Sequence, residues 1–179
     1  MEIEFERVVP ATVLEATWEL YTRAIEELRR SAVQRHVMYR AEFDDMMADE
    51  RVWKYRGVDS TGEITALATF TNQLESMPLI SPEYFASRWP EHYAEGRVWY
   101  LGFIAIHPAH RGTGVFESVI EELWRPVQAD RGVAALDMCG RNEAIGLPDA
   151  ITRTLASLTP NVVATALDQQ SYWSFELPR

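Results

Sequence analysis

The sequence predicts one mixed α/β domain spanning residues 1–179, and three observations predict it. Residues alternate in hydropathy on the far side of the turn Asp59 to Gly62, which reads as a β-hairpin. The run VWYLGFIAI (98–106) is apolar throughout, as in a central strand covered on both faces. Helical stripes flank both features, so helices and strands alternate along the chain.

The elements follow in order. EIEFERVVP reads as a short edge strand. Thr12 is placed to cap the next segment, in which Leu14, Trp18, Tyr21, Ile25 and Leu28 recur three and four apart on one helical face. YRAEFDDMMADE reads as a second helix, with Phe43, Met46 and Met47 inward. In the hairpin, Ile64, Ala66, Ala68 and Phe70 alternate with Thr65, Leu67, Thr69 and Thr71. Residues 72–97 read as a helical insertion rich in aromatics (Tyr84, Phe85, Trp89, Tyr93), with Ser81 as cap and Pro82 at the first helical position. Such an insertion packs over a sheet face or serves as a lid. After the apolar strand, Val115, Phe116, Val119, Ile120, Leu123, Trp124 and Val127 form one stripe that ends at Asp130 to Gly132. VAALDMC reads as a further strand and EAIGLPDAITRTLASL as a helix. NVVATALDQQ and SYWSFELP read as two closing strands, with Trp173, Phe175 and Leu177 alternating.

Composition narrows the function. A chain of 179 residues with 47% apolar and 25% charged residues buries enough surface to fold without staples. A net charge of -10 argues against nucleic acid as a partner, which requires a basic stripe, and suits a cationic or amine-bearing one. Cys139 is the only cysteine, so no internal disulfide and no multi-cysteine zinc site is expected. His36, His92, His107 and His110 show no metal-ligand spacing, and no metal is expected. Without a leader-like segment or an apolar run near 18 residues, the expectation is a cytoplasmic protein with no membrane partner. Six tryptophans and an aromatic insertion are compatible with a homodimer.

The chemistry concentrates at FIAIHPAHRGTGVFESVIEEL (103–123), where a strand feeds a helix through two glycines. The first amides of such a helix lack partners and carry the positive end of its dipole. Gly112 and Gly114 let an anion approach the backbone, and Arg111 offers a fork that matches phosphate oxygens. This is a diphosphate cradle, or else a tight glycine turn bearing a surface arginine.

This stretch resembles the signature of the GCN5-related N-acetyltransferase (GNAT) family, [QR]-x-x-G-x-[GA] at the start of a helix that follows a strand and a proline. Arg111, Gly112, Thr113 and Gly114 fit its second half. Asn142, in CGRNEAIG after the next strand, matches the family's asparagine. The resemblance covers roughly 10–177 by element order and is sharp over about 98–145. It implies a mostly antiparallel sheet with a central splayed strand pair and helices on both faces. It also implies acetyl-CoA or another acyl-CoA as cofactor, with the diphosphate on the amides of His110 through Val115 and Phe116 beside the pantetheine or adenine end. The pantetheine arm would bond the strand at Phe103, Ile104 and Ala105, and Asn142 would touch the acyl or pantetheine end. Three departures stand out, one being the insertion at 72–97, which is longer than the family's usual connection there. Ala109 occupies the Gln/Arg position, and no tyrosine lies in 143–158, where many members carry the acid for the departing thiolate.

Direct acyl transfer to a small-molecule or peptide amine needs a proton acceptor, an oxyanion donor and an acid. Asp137 is a carboxylate in an otherwise apolar strand, where burial would raise its pKa, or a structural hydrogen-bonding group. Glu75 stands after the hairpin as base, amine anchor or solvated charge. Tyr172 begins the last strand as a replacement acid or a rim aromatic. Cys139 reads as a small apolar residue and His107 as a turn residue. The alternative to an enzyme is a non-catalytic acyl-CoA-binding module that regulates a partner.

Overall fold

The computed structural model describes residues 1–33 and 37–178. His36 lies outside the described residues. Five strands form one sheet in the order β1 (Glu2–Glu6), β2 (Trp53–Val58), β3 (Ile64–Thr71), β4 (Val98–Ile106) and β5 (Val133–Leu136). The first four pair antiparallel, and β4 pairs parallel with β5. The hairpin turn is built by Asp59. Its Oδ1 accepts the amides of Thr61 (2.8 Å) and Glu63 (3.0 Å), and Gly62 supplies a φ of 88°.

Every residue of β3 is buried, because both faces of the sheet are covered. On one face lie α1 (Ala11–Ile25), the single turn α2 (Leu28–Ser31) and α3 (Arg40–Ala48). There Tyr21, Phe43, Met47, Leu67 and Ala105 form one cluster. Within it Tyr21 meets Phe43 and Phe103 at centroid distances of 5.1 and 4.9 Å. Each such pair contributes about 0.5–1.5 kcal/mol beyond area burial. The insertion adds α4 (Pro82–Arg88) and α5 (Pro90–Ala94), and Phe85 packs with Leu74, Val98 and Tyr100. The opposite face carries α6 (Val115–Asp130), whose Val119, Leu123 and Val127 meet Ala68, Phe70 and Trp99. Two helices follow β5, α7 (Gly140–Ala144) and α8 (Leu147–Leu158). Lys54 is fully buried and donates to the carbonyls of Arg7 (2.8 Å) and Asp49 (2.7 Å), tying the two connections at this end of the sheet. Among the described residues no helix is long and apolar enough to cross a membrane.

The hairpin, the insertion, the apolar strand and the stripe of α6 match the sequence reading. Four local expectations change. Thr12 lies inside α1, which starts behind Pro10 with no side-chain cap. Ser81 sits at the N-cap of α4 but bonds Glu83 rather than the helix backbone. The helix expected over 143–158 is split in two, because Gly146 adopts a φ of 82° between α7 and α8. The two closing strands do not form: residues 162–178 lie beyond the sheet with no regular structure. Alternation marks a strand only where a neighbouring backbone is present to pair with it.

Gly102 shapes the middle of β4. The β3–β4 register shifts where Thr69 opposes Phe103 and Phe70 opposes Leu101, so Gly102 is the extra residue of a bulge. A Cβ there would lie 2.6 Å from Thr69 Oγ1. Gly102→Ala is therefore expected to cost about 1–3 kcal/mol. Chemical denaturation of the single variant and of Gly102→Ala/Thr69→Ala checks this, since removing the hydroxyl should restore part of the loss.

Candidate active site

Strand β4 leaves its neighbour half-way. Its pairing with β5 runs only from Val98 to Leu101, so Gly102 through Ile106 have no partner on that side. The expected splay is present. His107 donates its amide to Thr65 (2.8 Å), and hydrogen-bonded positions alternate in an antiparallel ladder. The backbone groups of Phe103 and Ala105 therefore face β3, and those of Ile104 and Ile106 face the splay. Of the three strand residues predicted to bond a pantetheine arm, Ile104 alone has its amide and carbonyl on the open side.

The glycine junction closes one end of this opening. Gly112 and Gly114 have φ values of 74° and 87°, which side chains other than glycine seldom adopt. No atom lies within 4 Å of where a Cβ would sit on either. Gly114 occupies the N-cap of α6, and the first return bond is from Ser118 to Gly114 (3.1 Å). The amides of Val115, Phe116 and Glu117 therefore have no acceptor within the helix. Thr113 holds the turn by donating to the carbonyl of His110 (2.7 Å). Open space, free amides and a helix dipole fit the diphosphate of an acyl-CoA.

Arg111 has protein partners of its own at the junction. Its guanidinium donates to the carbonyl of Ala24 (2.7 Å) and lies 3.9 Å from Glu27, so it ties the junction to the last turn of α1. One terminal nitrogen is engaged, and the rest of the half-exposed guanidinium keeps its charge beside the junction. Glu27 also pairs with Arg141 of α7 (3.3 Å). One carboxylate thus brings the junction and the helix carrying Asn142 to the same end of α1. The Asn142 amide bonds Cys139, and its half-buried side chain sits in this short helix. His107 is a turn residue, as its sequence suggests: its Nδ1 accepts from Ala109, and its Nε2 meets Arg23 at 3.0 Å. His110 comes close to Asp59 and Glu63, with their ligand-capable atoms within 4.8 Å of one another. Spacing along the chain does not reveal this trio, because it joins the hairpin turn to the junction.

The carboxylate candidates both face the insertion. Asp137 follows β5 rather than lying in it and is exposed, which corrects the expectation of a buried strand carboxylate. Its Oδ1 accepts from the hydroxyl of buried Tyr100 at 2.6 Å. Burial, reinforced by this hydrogen bond, pushes the Tyr100 hydroxyl well above its ordinary pKa, so it remains a donor. Glu75 accepts from Tyr93 at 2.6 Å, and that hydrogen bond holds its carboxyl below the usual range. Tyr93 packs against the cluster that contains Tyr100, so the two tyrosine–carboxylate pairs share the insertion side of the sheet. Tyr172 is not brought to them, because it lies half-exposed in the C-terminal segment. Sequence reasoning missed Tyr100 and Tyr93. The available signal for Tyr100 was the single hydroxyl in the apolar run 98–106, and parallel register sets it beside Ala135, two residues before Asp137.

No protein-family model and no curated protein sequence matches the chain. Solved structures do. A ribosomal-protein-alanine N-acetyltransferase from Brucella melitensis biovar Abortus 2308 is 16% identical, with a TM-score of 0.54, 96% of this chain and 96% of that one covered. An aminoglycoside 6'-N-acetyltransferase from Acinetobacter haemolyticus is 14% identical, with a TM-score of 0.51 over 99% of this chain and all of that one. The GNAT domain of S. lividans PAT is 11% identical, with a TM-score of 0.55 over 84% of this chain and 77% of that one. With its five-stranded sheet, splayed β4 and glycine-led α6, the chain has the fold of the GCN5-related N-acetyltransferases.

Proposed function

We propose that the protein is an acyl-CoA-dependent N-acyltransferase that acylates a primary amine on a small molecule or peptide by direct attack. The observation that carries this reading is the splay of β4 from β5, opening beside the glycine junction and the bare first turn of α6. A bound acyl-CoA supplies the activated thioester. The amides of Val115, Phe116 and Glu117 hold its diphosphate, and Gly112 and Gly114 let it approach. The Ile104 amide, on the open side of β4, donates along the pantetheine arm or to the charge that develops on the thioester oxygen.

The two carboxylates take different roles. Glu75, whose carboxyl Tyr93 holds below the usual range, anchors a cationic acceptor. Asp137, exposed just past the end of β5 and oriented by the Tyr100 hydroxyl, is the proposed acceptor of the amine proton. A second reading, a non-catalytic acyl-CoA-binding module, is favoured by one observation: Tyr172 stands apart from both carboxylates.

Titration calorimetry with acetyl-CoA, followed by thiol release over a panel of amines, tests both. Binding with thiol release that depends on the amine is expected. No binding at millimolar acetyl-CoA sinks the whole reading, and tight binding without thiol release on any amine selects the module.

A further inference from the structure

The splay of β4 from β5 has an apolar hollow at its apex. Leu101 and Leu136 form the last rung of the pairing before the strands part. Both line a cavity of about 40 Å³ on the α6 face of the sheet. Trp124 of α6 and Ile151 and Leu155 of α8 close it from the helix side. Ile120 and Leu123, each 4% exposed, bound it with packed core.

The side chains of this wall offer water nothing. The indole nitrogen of Trp124 is their one polar group, and it donates to the hydroxyl of Thr159 (2.8 Å). A buried water needs two to four polar partners, so a cavity of this kind stays dry and takes apolar ligands. A water-sized group needs about 10–15 Å³ of such volume, so the hollow admits roughly three or four groups the size of a methylene.

Its place in the fold says which ligand reaches it. The unpaired run of β4, Gly102 through Ile106, separates the hollow from the glycine junction. Five strand residues span about 17 Å. A pantetheine arm extended along this run from a diphosphate at the junction brings its thioester to the apex. The carbons beyond the thioester then meet Leu101 and Leu136 rather than water.

We propose that the hollow is the seat of the donor's acyl chain, and that the protein binds a saturated acyl-CoA of about four to six carbons more tightly than acetyl-CoA. This rests on the acyl-CoA reading above and names the donor class for that site. An acetyl group ends at the mouth and leaves the hollow empty. Each further methylene leaves water for an apolar wall, worth roughly four-fold in affinity. A chain longer than the hollow meets the packed side chains of Ile120 and Leu123, where overpacking cancels the gain.

Titration calorimetry on the full chain with acetyl-, butanoyl-, hexanoyl- and decanoyl-CoA tests this. Affinity is expected to rise roughly four-fold per methylene as far as hexanoyl-CoA and to rise no further at decanoyl-CoA. Leu155→Phe fills the hollow and should abolish the gain, whereas Leu155→Ala enlarges it and should carry the gain to longer chains. Ile151→Phe, one turn earlier on the same helix face, replaces Leu155→Phe if circular dichroism shows that variant unfolded. Equal or falling affinity along the series overturns the proposal and leaves the acyl-CoA reading standing. A gain that continues undiminished to decanoyl-CoA, or that persists in the filled variant, also overturns it, since either puts the chain outside the hollow. No binding of any of the four removes the acyl-CoA reading and this inference together.

Discussion

Gly112→Asp is expected to weaken acetyl-CoA binding severely while leaving the protein folded. At a φ of 74° an L side chain is strained by roughly 1–2 kcal/mol, but no atom within 4 Å obstructs its Cβ. The carboxylate would then occupy the opening where, in the proposed reading, the diphosphate comes to the α6 amides. Like charges brought together at an interface cost several kcal/mol, so a loss of affinity of about 100-fold or more is expected. Gly112→Ala imposes the same backbone strain without the charge and separates the two effects. It should lower thermal stability by a few degrees and weaken binding far less. Calorimetry on the pair measures both affinities. Equal affinity in Gly112→Asp and the unchanged protein would place the diphosphate elsewhere.

Asp137→Asn is expected to lower kcat by about 100-fold or more at neutral pH, the contribution of a well-placed general base. Asparagine keeps the size and can still accept the Tyr100 hydroxyl, so the fold and acetyl-CoA affinity should hold. Tyr100→Phe removes the hydrogen bond that orients the carboxylate and should give a smaller loss in kcat. Glu75→Gln should behave differently from both, by raising KM for cationic amines and leaving kcat nearly intact, because an anchor contributes equally before and during the reaction. Steady-state kinetics over amine concentration distinguishes these patterns. Full kcat in Asp137→Asn removes it as the proton acceptor.

Much of the fold was legible because its signals are local. The glycines at 112 and 114 mark a turn by backbone sterics alone. The stripe from Val115 to Val127 marks a helix through its own period. The glycine junction was legible for the same reason, since strand, turn and helix start follow one another in the chain. The side chains around it were harder to place. Arg111 reads in sequence as facing the junction alone, yet one nitrogen of its guanidinium donates to the carbonyl of Ala24, 87 residues away. Asp137 looks buried within an apolar run, yet β5 ends one residue earlier and exposes it.

By itself the sequence determined the hairpin, the central apolar strand, the amphipathic helices and the glycine junction. Each depends on residues within a few positions of one another. Only the tertiary structure decided where β4 parts from β5, which carboxylate meets which tyrosine, and whether the C-terminal pattern becomes a strand. Those outcomes depend on partners distant in the chain. A strand, unlike a helix, makes none of its hydrogen bonds within itself.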